Sequence, residues 1–334
     1  MSGKSSKPIS LIYGISGQVG SFLAEELLNR GHDVHGILRR TSSYNTKRID
    51  HIFDKLKLHH GDVTDTSSIY EVVGSLKPTY LFNLSALSHV AISFSTPLVC
   101  NEITGTGVLN ILEAVRKYSP HTKFVQSSSS EIFGGMKNEA ITEKTEHHPR
   151  SPYGCSKQFG YAITVNYRES YNLFASNLIM FNCESERRGK NFVTAKVVDA
   201  ACRIKLGLQN KLVLGNPDSS RDWGFCGDYV DAFIRVAEAN QSGDYIVASE
   251  ETHTIREFVE IVFLKLDMDY KDYVEFNNPQ YIRPAEVSYL LGDASKIKRE
   301  LLWEKKTSFD QLVNRMVEYG MKEAEQEKLI KGIR

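Results

Sequence analysis

The stretch ISLIYGISGQVGS, Ile9 to Ser21, holds a short apolar run, then glycines at 14, 17 and 20, then an amphipathic pattern carried by Phe22, Leu23, Leu27 and Leu28 and closed by Gly31. An apolar run of this length reads as a buried parallel strand, and the pattern after it as a helix with a C-terminal glycine stop. Glycines between a strand and a helix let backbone approach a pyrophosphate that rests on the helix N-terminus. A tight strand-to-helix turn with no ligand is the plainer reading. The context favours dinucleotide binding, with Gly14, Gly17, Gln18, Val19 and Gly20 as the contact residues.

Working outward, strand and helix patterns alternate. Val34 to Leu38, Leu56 to Val63, Tyr80 to Leu84, Phe124 to Ser127 and 176–181 read as strands; 67–76, 98–118 and 152–170 read as helices. Such alternation implies βαβ units. The expected fold is α/β, a doubly wound parallel sheet of Rossmann type with a smaller mixed α/β substrate-binding lobe. The regularity ends near residue 182, where turn-rich segments such as Gly215-Asn216-Pro217-Asp218 begin. Residues 1–182, with a return near 222–250, are assigned to the dinucleotide half, and 183–334 mainly to the lobe. Helices are expected around Phe258 and Leu312, and the charged run after Met321 is expected to fray.

The chain has 334 residues, 41% hydrophobic and 25% charged, with 41 basic against 41 acidic side chains. No long basic run interleaved with aromatics is present, which argues against nucleic acid as a partner. The five cysteines are scattered and form no C-x-x-C, so neither a structural zinc site nor a disulfide framework is expected. The N-terminus lacks a signal-peptide core, and no apolar run has membrane-spanning length. A reduced, cytoplasmic protein is expected, with no metal.

The strand ends supply candidate chemistry. The second closes on Arg39-Arg40-Thr41-Ser42-Ser43, two guanidinium groups and no acid, which suits a ribose 2′-phosphate and therefore NADP, although a solvated basic loop would look the same. Asp62 and Val63 close the third, where an aspartate reaches the adenine edge. Leu84, Ser85 and Ala86 close the fourth with small groups that leave room for a cofactor. Ser127 to Glu131 end the next strand, just before a helix that places Tyr153 and Lys157 four residues apart on one face. A lysine beside a phenol favours phenolate, and a hydride leaving a carbinol carbon must be matched by a proton leaving its oxygen. Glu131 adds a second acid–base group that plain hydride transfer does not need; a turn cap is its plainer reading.

These residues resemble the extended short-chain dehydrogenase/reductase family, in its nucleotide-sugar 4,6-dehydratase branch, from Tyr13 to about Tyr319. The specific blocks include GISGQVGS (14–21), SSSSEIFG (127–134), RSPYGCSK (150–157), NFVTAKV (191–197), LGNPDSSRDWG (214–224) and YIRPAEV (281–287). The resemblance implies a reaction without net redox change on a GDP-linked hexose, GDP-D-mannose, using NADP. It assigns catalysis to Ser129, Glu131, Tyr153 and Lys157, and adds Ser88, Cys183 and Arg188 to the cofactor contacts. For the nucleotide sugar it implies Ser88, Asn182, Asn191, Val193, Lys196, Leu214, Gly215, Arg221, Arg283 and Glu286, together with Ser129 and Glu131. A homodimer or homotetramer is implied, with the loop from Arg39 to Tyr44 at an interface.

The chain also departs from the family pattern. Val19 stands for an aspartate, Ser129 for a threonine, Leu87 for a glutamine, Cys183 for a histidine, Glu186 for a proline and Ala195 for an arginine; Phe225-Cys226 stand for His-Ala. Leu87 and Ala195 are expected on the sugar side, which keeps open a GDP-manno-heptose substrate. An NADPH-dependent 4-keto-sugar reductase is the other alternative, and Glu131 argues against it.

Overall fold

The computed structural model describes residues 7–42, 45–134, 139–281, 285 and 287–332. The opening apolar run forms β1 (Ile9–Tyr13), and the helix after the glycine turn is α1 (Gln18–Asn29). Next come β2 (Asp33–Leu38), β3 (Lys57–His60), α2 (Thr66–Leu76), β4 (Tyr80–Asn83) and α3 (Gly107–Tyr118). They are followed by β5 (Lys123–Ser129), α4 (Pro152–Tyr171), β6 (Ala175–Met180) and α5 (Val193–Lys205). After α6 (Cys226–Glu238) the chain returns a final strand, β7 (Asp244–Val247).

These seven strands form one parallel sheet in the order β7-β6-β5-β4-β1-β2-β3. Neighbouring residues on a strand point to opposite faces. Ile12, Phe82 and Val125 accordingly pack with α1 and α6, while Leu11, Leu81 and Phe124 pack with α2 and α3. Burial on both faces explains why the strands read as continuous apolar runs rather than as alternation. The strand order reverses between β1 and β4, the switch point at which open α/β sheets form a ligand crevice beyond their C-terminal ends.

The lobe contains a three-stranded sheet of Asn182–Glu184, Ser220–Phe225 and Thr252–Thr254. Its core gathers α5, α7 (Ile255–Leu264) and α8 (Phe309–Ile330) around Trp223, through Val197, Phe258, Val262, Leu312 and Met316. Both α7 and α8 open with a capping box, Thr254 with Glu257 and Ser308 with Gln311.

Two expectations need correction. The helix expected over 98–118 is interrupted: Pro97–Asn101 runs into a π turn, Glu102–Thr106, before α3. The charged run after Met321 stays helical to Ile330, because Ala324 is buried, Arg203 pairs with Glu327 and Lys47 pairs with Glu323 at 3.1 Å. Ala294, Ile297 and Trp303 pack in one core with β1, α1 and α6. No helix among the described residues is long and apolar enough to cross a membrane.

Candidate active site

A cavity of about 1410 Å³ runs along the C-terminal edge of the sheet, from the glycine turn to Tyr281. At its cofactor end Gly14 has φ +84, and Gly17 donates its N–H to the Gly14 carbonyl at 3.0 Å. A Cβ on Gly20 would stand 2.2 Å from the Gly14 oxygen, so only glycine lets α1 start this close to β1. Gly17 caps α1 with no side-chain bond, which leaves the first helical N–H groups for a phosphate. Gln18 and Val19 line the same wall. The Gln18 amide also ties the turn to the lobe, donating to the Cys183 carbonyl at 2.9 Å and accepting from Ser185 Oγ at 2.9 Å.

Of the residues assigned to the cofactor, Arg39, Ser42, Asp62, Val63, Leu84, Ser85, Ala86, Ser88, Cys183 and Arg188 line the cavity, together with Thr41. One oxygen of Asp62 is already engaged, accepting from the Thr64 N–H at 3.0 Å and from its hydroxyl at 2.8 Å. Arg40 is the exception: it is exposed and stands outside the cavity wall, since adjacent residues leaving a strand end point apart. The cradle, the uncapped helix and the guanidinium of Arg39 fit a nicotinamide dinucleotide.

The reacting groups lie midway along. β5 delivers Ser129 and Glu131, both buried. α4 begins with Pro152 after Ser151, whose hydroxyl accepts from the Gly154 N–H at 3.0 Å, and this cap aims Tyr153 and Lys157 at the strand ends. Burial pushes the Tyr153 phenol above its ordinary pKa; the Ser129 hydroxyl bonded to it pulls the other way, and Glu131 adds to the rise. Lys157 donates to the Ser127 carbonyl at 2.6 Å, and burial lowers its pKa to about 8. Its Nζ stands 5.8 Å from the Tyr153 ring centroid, and desolvation outweighs everything else at the phenol.

At the far end Asn182, Asn191, Val193, Lys196, Leu214, Gly215 and Arg221 line the wall. Asn182 Oδ1 is buried with no hydrogen-bond partner among the described residues, as a ligand-facing acceptor would be. Lys196 donates to the Val213 carbonyl at 2.9 Å and stands 3.7 Å from the Tyr281 ring centroid. Arg283, Glu286, Ser43 and Tyr44 lie outside the described residues. Leu87 and Ala195 are the residues expected on the sugar side. The Leu87 N–H is bonded to Thr104 Oγ1 at 3.0 Å, Ala195 belongs to the buried side of α5, and neither lines the cavity.

Glu184 and His89 are among the cavity residues that escaped the reading of the sequence. Glu184 is buried; burial pushes its carboxyl up, while Arg188 at 3.2 Å and the Thr194 hydroxyl pull it down. Only its spacing of four from Arg188 hinted at a pair. His89 reaches Asn191 across the cavity, a contact between residues 102 apart in sequence that no local pattern encodes.

Fold and site together define an extended short-chain dehydrogenase/reductase whose cavity runs from the glycine turn to the lobe. A family model described as GDP-mannose 4,6 dehydratase matches residues 11–316. GDP-mannose 4,6 dehydratase 2 of Arabidopsis thaliana is 47% identical, over 97% of this chain and 90% of its own. The GDP-mannose 4,6 dehydratase of Homo sapiens is 41% identical, over 94% and 92%. Among solved structures, the dTDP-glucose 4,6-dehydratase of Bacillus anthracis in complex with NAD superposes with a TM-score of 0.84 at 25% identity, over 95% of this chain and 98% of that one. The chain belongs to the GDP-mannose 4,6-dehydratase family.

Proposed function

We propose that this chain is a hydro-lyase that converts GDP-D-mannose to GDP-4-keto-6-deoxy-D-mannose and water, with NADP as its resident cofactor. The glycine turn, Arg39 and Lys157 would hold the dinucleotide, whose nicotinamide would supply the hydride acceptor for C4 and the donor for C6. Tyr153 takes the O4 proton, with Ser129 donating a hydrogen bond to O4. Glu131 takes the C5 proton, which the 4-ketone has made acidic, and delivers it to the departing O6 hydroxyl so that water leaves. The proton held by Tyr153 is then available to C5, so protons balance. Lys157, once paired with the ribose and beside the cationic nicotinamide, favours the phenolate that burial alone disfavours.

The observation that carries this reading is Glu131 in the short turn just past β5, in one wall with Ser129, Tyr153 and Lys157. A reductase would need no base for C5. The heptose alternative drew on Leu87 and Ala195, and neither borders the cavity. For NADP rather than NAD the support is Arg39 on the wall with Thr41 and Ser42. A reduced cytoplasmic setting suits the five free cysteines. The test is to incubate the purified protein with GDP-mannose and record product mass and NADPH. Loss of one water with no net NADPH supports the assignment, and an unchanged mass with folded, cofactor-loaded protein overturns it. Arg39→Ala should weaken NADP retention more than NAD retention; equal losses would remove the case for a 2′-phosphate contact.

A further inference from the structure

His89 lies just beyond β4, next to Ser88, and makes two directed contacts. Its Nδ1 accepts from the Ile92 N–H at 3.2 Å, capping the short helix Val90–Ser93. Its Nε2 stands 3.1 Å from the Asn191 carbonyl. An accepting Nδ1 leaves the imidazole proton on Nε2, so the ring donates to Asn191. The ring also packs on Phe192 with centroids 5.4 Å apart, and the Arg188 guanidinium lies 3.7 Å from the centroid of the same phenyl ring.

Both ends of this bridge lead to the site. Phe192 is the N-cap residue of α5, so a hold on Asn191 and Phe192 fixes where α5 starts, and with it Asn191, Val193 and Lys196. At the other end, Ser93 Oγ of the helix capped by His89 accepts the backbone N–H of Tyr153 at 3.2 Å. The cofactor-side strand end, the substrate-side helix and the catalytic helix are thus joined through one side chain.

We propose that His89 is a positioning residue that sets the substrate wall at Asn191–Lys196 against Tyr153. The proposal rests on the dehydratase reading for its kinetic consequence and not for the bridge itself. Substitutions separate the two contacts. His89→Gln places an amide where Nε2 was, and so keeps the bond to Asn191 without the cap. His89→Asn places an acceptor where Nδ1 was, and so keeps the cap without the bridge. His89→Ala loses both.

With the holoenzyme, hydrogen exchange over residues 189–198 should quicken in His89→Asn and His89→Ala and stay close to wild type in His89→Gln. KM for GDP-mannose should rise roughly tenfold in the same two variants, the size of one neutral hydrogen bond, with kcat within about threefold. Bound cofactor should be unchanged, and His89→Gln should restore KM. Equal exchange in all four proteins, or His89→Gln as impaired as His89→Ala, overturns the proposal. If wild type does not dehydrate GDP-mannose, the functional reading falls, while the exchange pattern still decides the bridge.

Discussion

At Tyr153 two effects oppose each other, and the larger is burial. The phenol is disfavoured as an anion by its surroundings, Lys157 is pulled down to about 8 by the same surroundings, and only added positive charge can reverse the balance. Tyr153→Phe should therefore retain the cofactor and the nucleotide sugar yet form no NADPH in a single turnover; transient NADPH at the wild-type level would exclude Tyr153 as the base. Glu131→Gln should behave differently, oxidising C4 but releasing product roughly 10²–10⁴-fold more slowly. A product rate equal to wild type would remove Glu131 from the chemistry. Lys157 adds a stability effect of definite sign. Its folded pKa lies below the ordinary value of 10.5, so the unfolded chain binds more protons between about 8 and 10.5, and stability of the cofactor-free protein rises with pH across that window. Lys157→Met should lack that rise in Tm. The residue types and spacing of this set were legible in the sequence because acid–base chemistry admits few side chains. Their pKa values were not, because burial is made by distant segments.

Among the elements, the strand–turn–helix at 9–29 was the easiest to read, since Gly14 is required by its positive φ and Gly20 by contact, not by propensity. Gly20 and Gly17 give that statement a test. An alanine methyl at 20 would meet the Gly14 oxygen at 2.2 Å and the Ile15 Cα at 2.7 Å, both backbone, so α1 has to lift away from β1. At 17 the nearest atom is the Gly14 oxygen at 3.1 Å, and a slight adjustment suffices. Gly20→Ala should lose bound cofactor and about 1–3 kcal/mol of stability, while Gly17→Ala keeps its stability within about 1 kcal/mol; cofactor content and denaturant midpoints compare the two. The stretch 98–118 was read wrongly in detail for a physical reason. Apolar periodicity persists through a π turn, because one extra residue shifts the buried face by less than the width of the apolar stripe. The end of α8 was misjudged because its stability comes from Ala324, Glu323 and Glu327 meeting other segments, which the local run of charge conceals.

Over the whole molecule, the parallel sheet was legible because burial on both faces writes itself into consecutive apolar residues. The lobe was not, because its core is assembled from short pieces far apart in sequence around Trp223. Asp222, next to Trp223, shows how the pieces are held. Its fully buried carboxylate accepts N–H bonds from Ser249 at 2.7 Å, Glu250 at 3.0 Å and Gly292 at 3.1 Å, joining the lobe strand to the exit of β7 and to the approach of the C-terminal segment. Burial nevertheless wins over these three bonds and raises its pKa from 3.8 to about 6. The folded protein thus binds more protons than the unfolded chain between those values. The resulting stabilisation is fully present below about pH 3.8 and is lost as pH rises through about 6, on the order of 3 kcal/mol across the window. Asp222→Asn cannot titrate, and its amide NH₂ would face an N–H, so it should be less stable than wild type throughout and lack this decline. The measurement is the difference in unfolding free energy between the two proteins at pH 4, 5, 6 and 7. A difference that narrows as pH rises is expected, because only the wild type loses protonation-linked stability there. A constant difference would mean that the three N–H bonds, and not desolvation, set the charge state of Asp222.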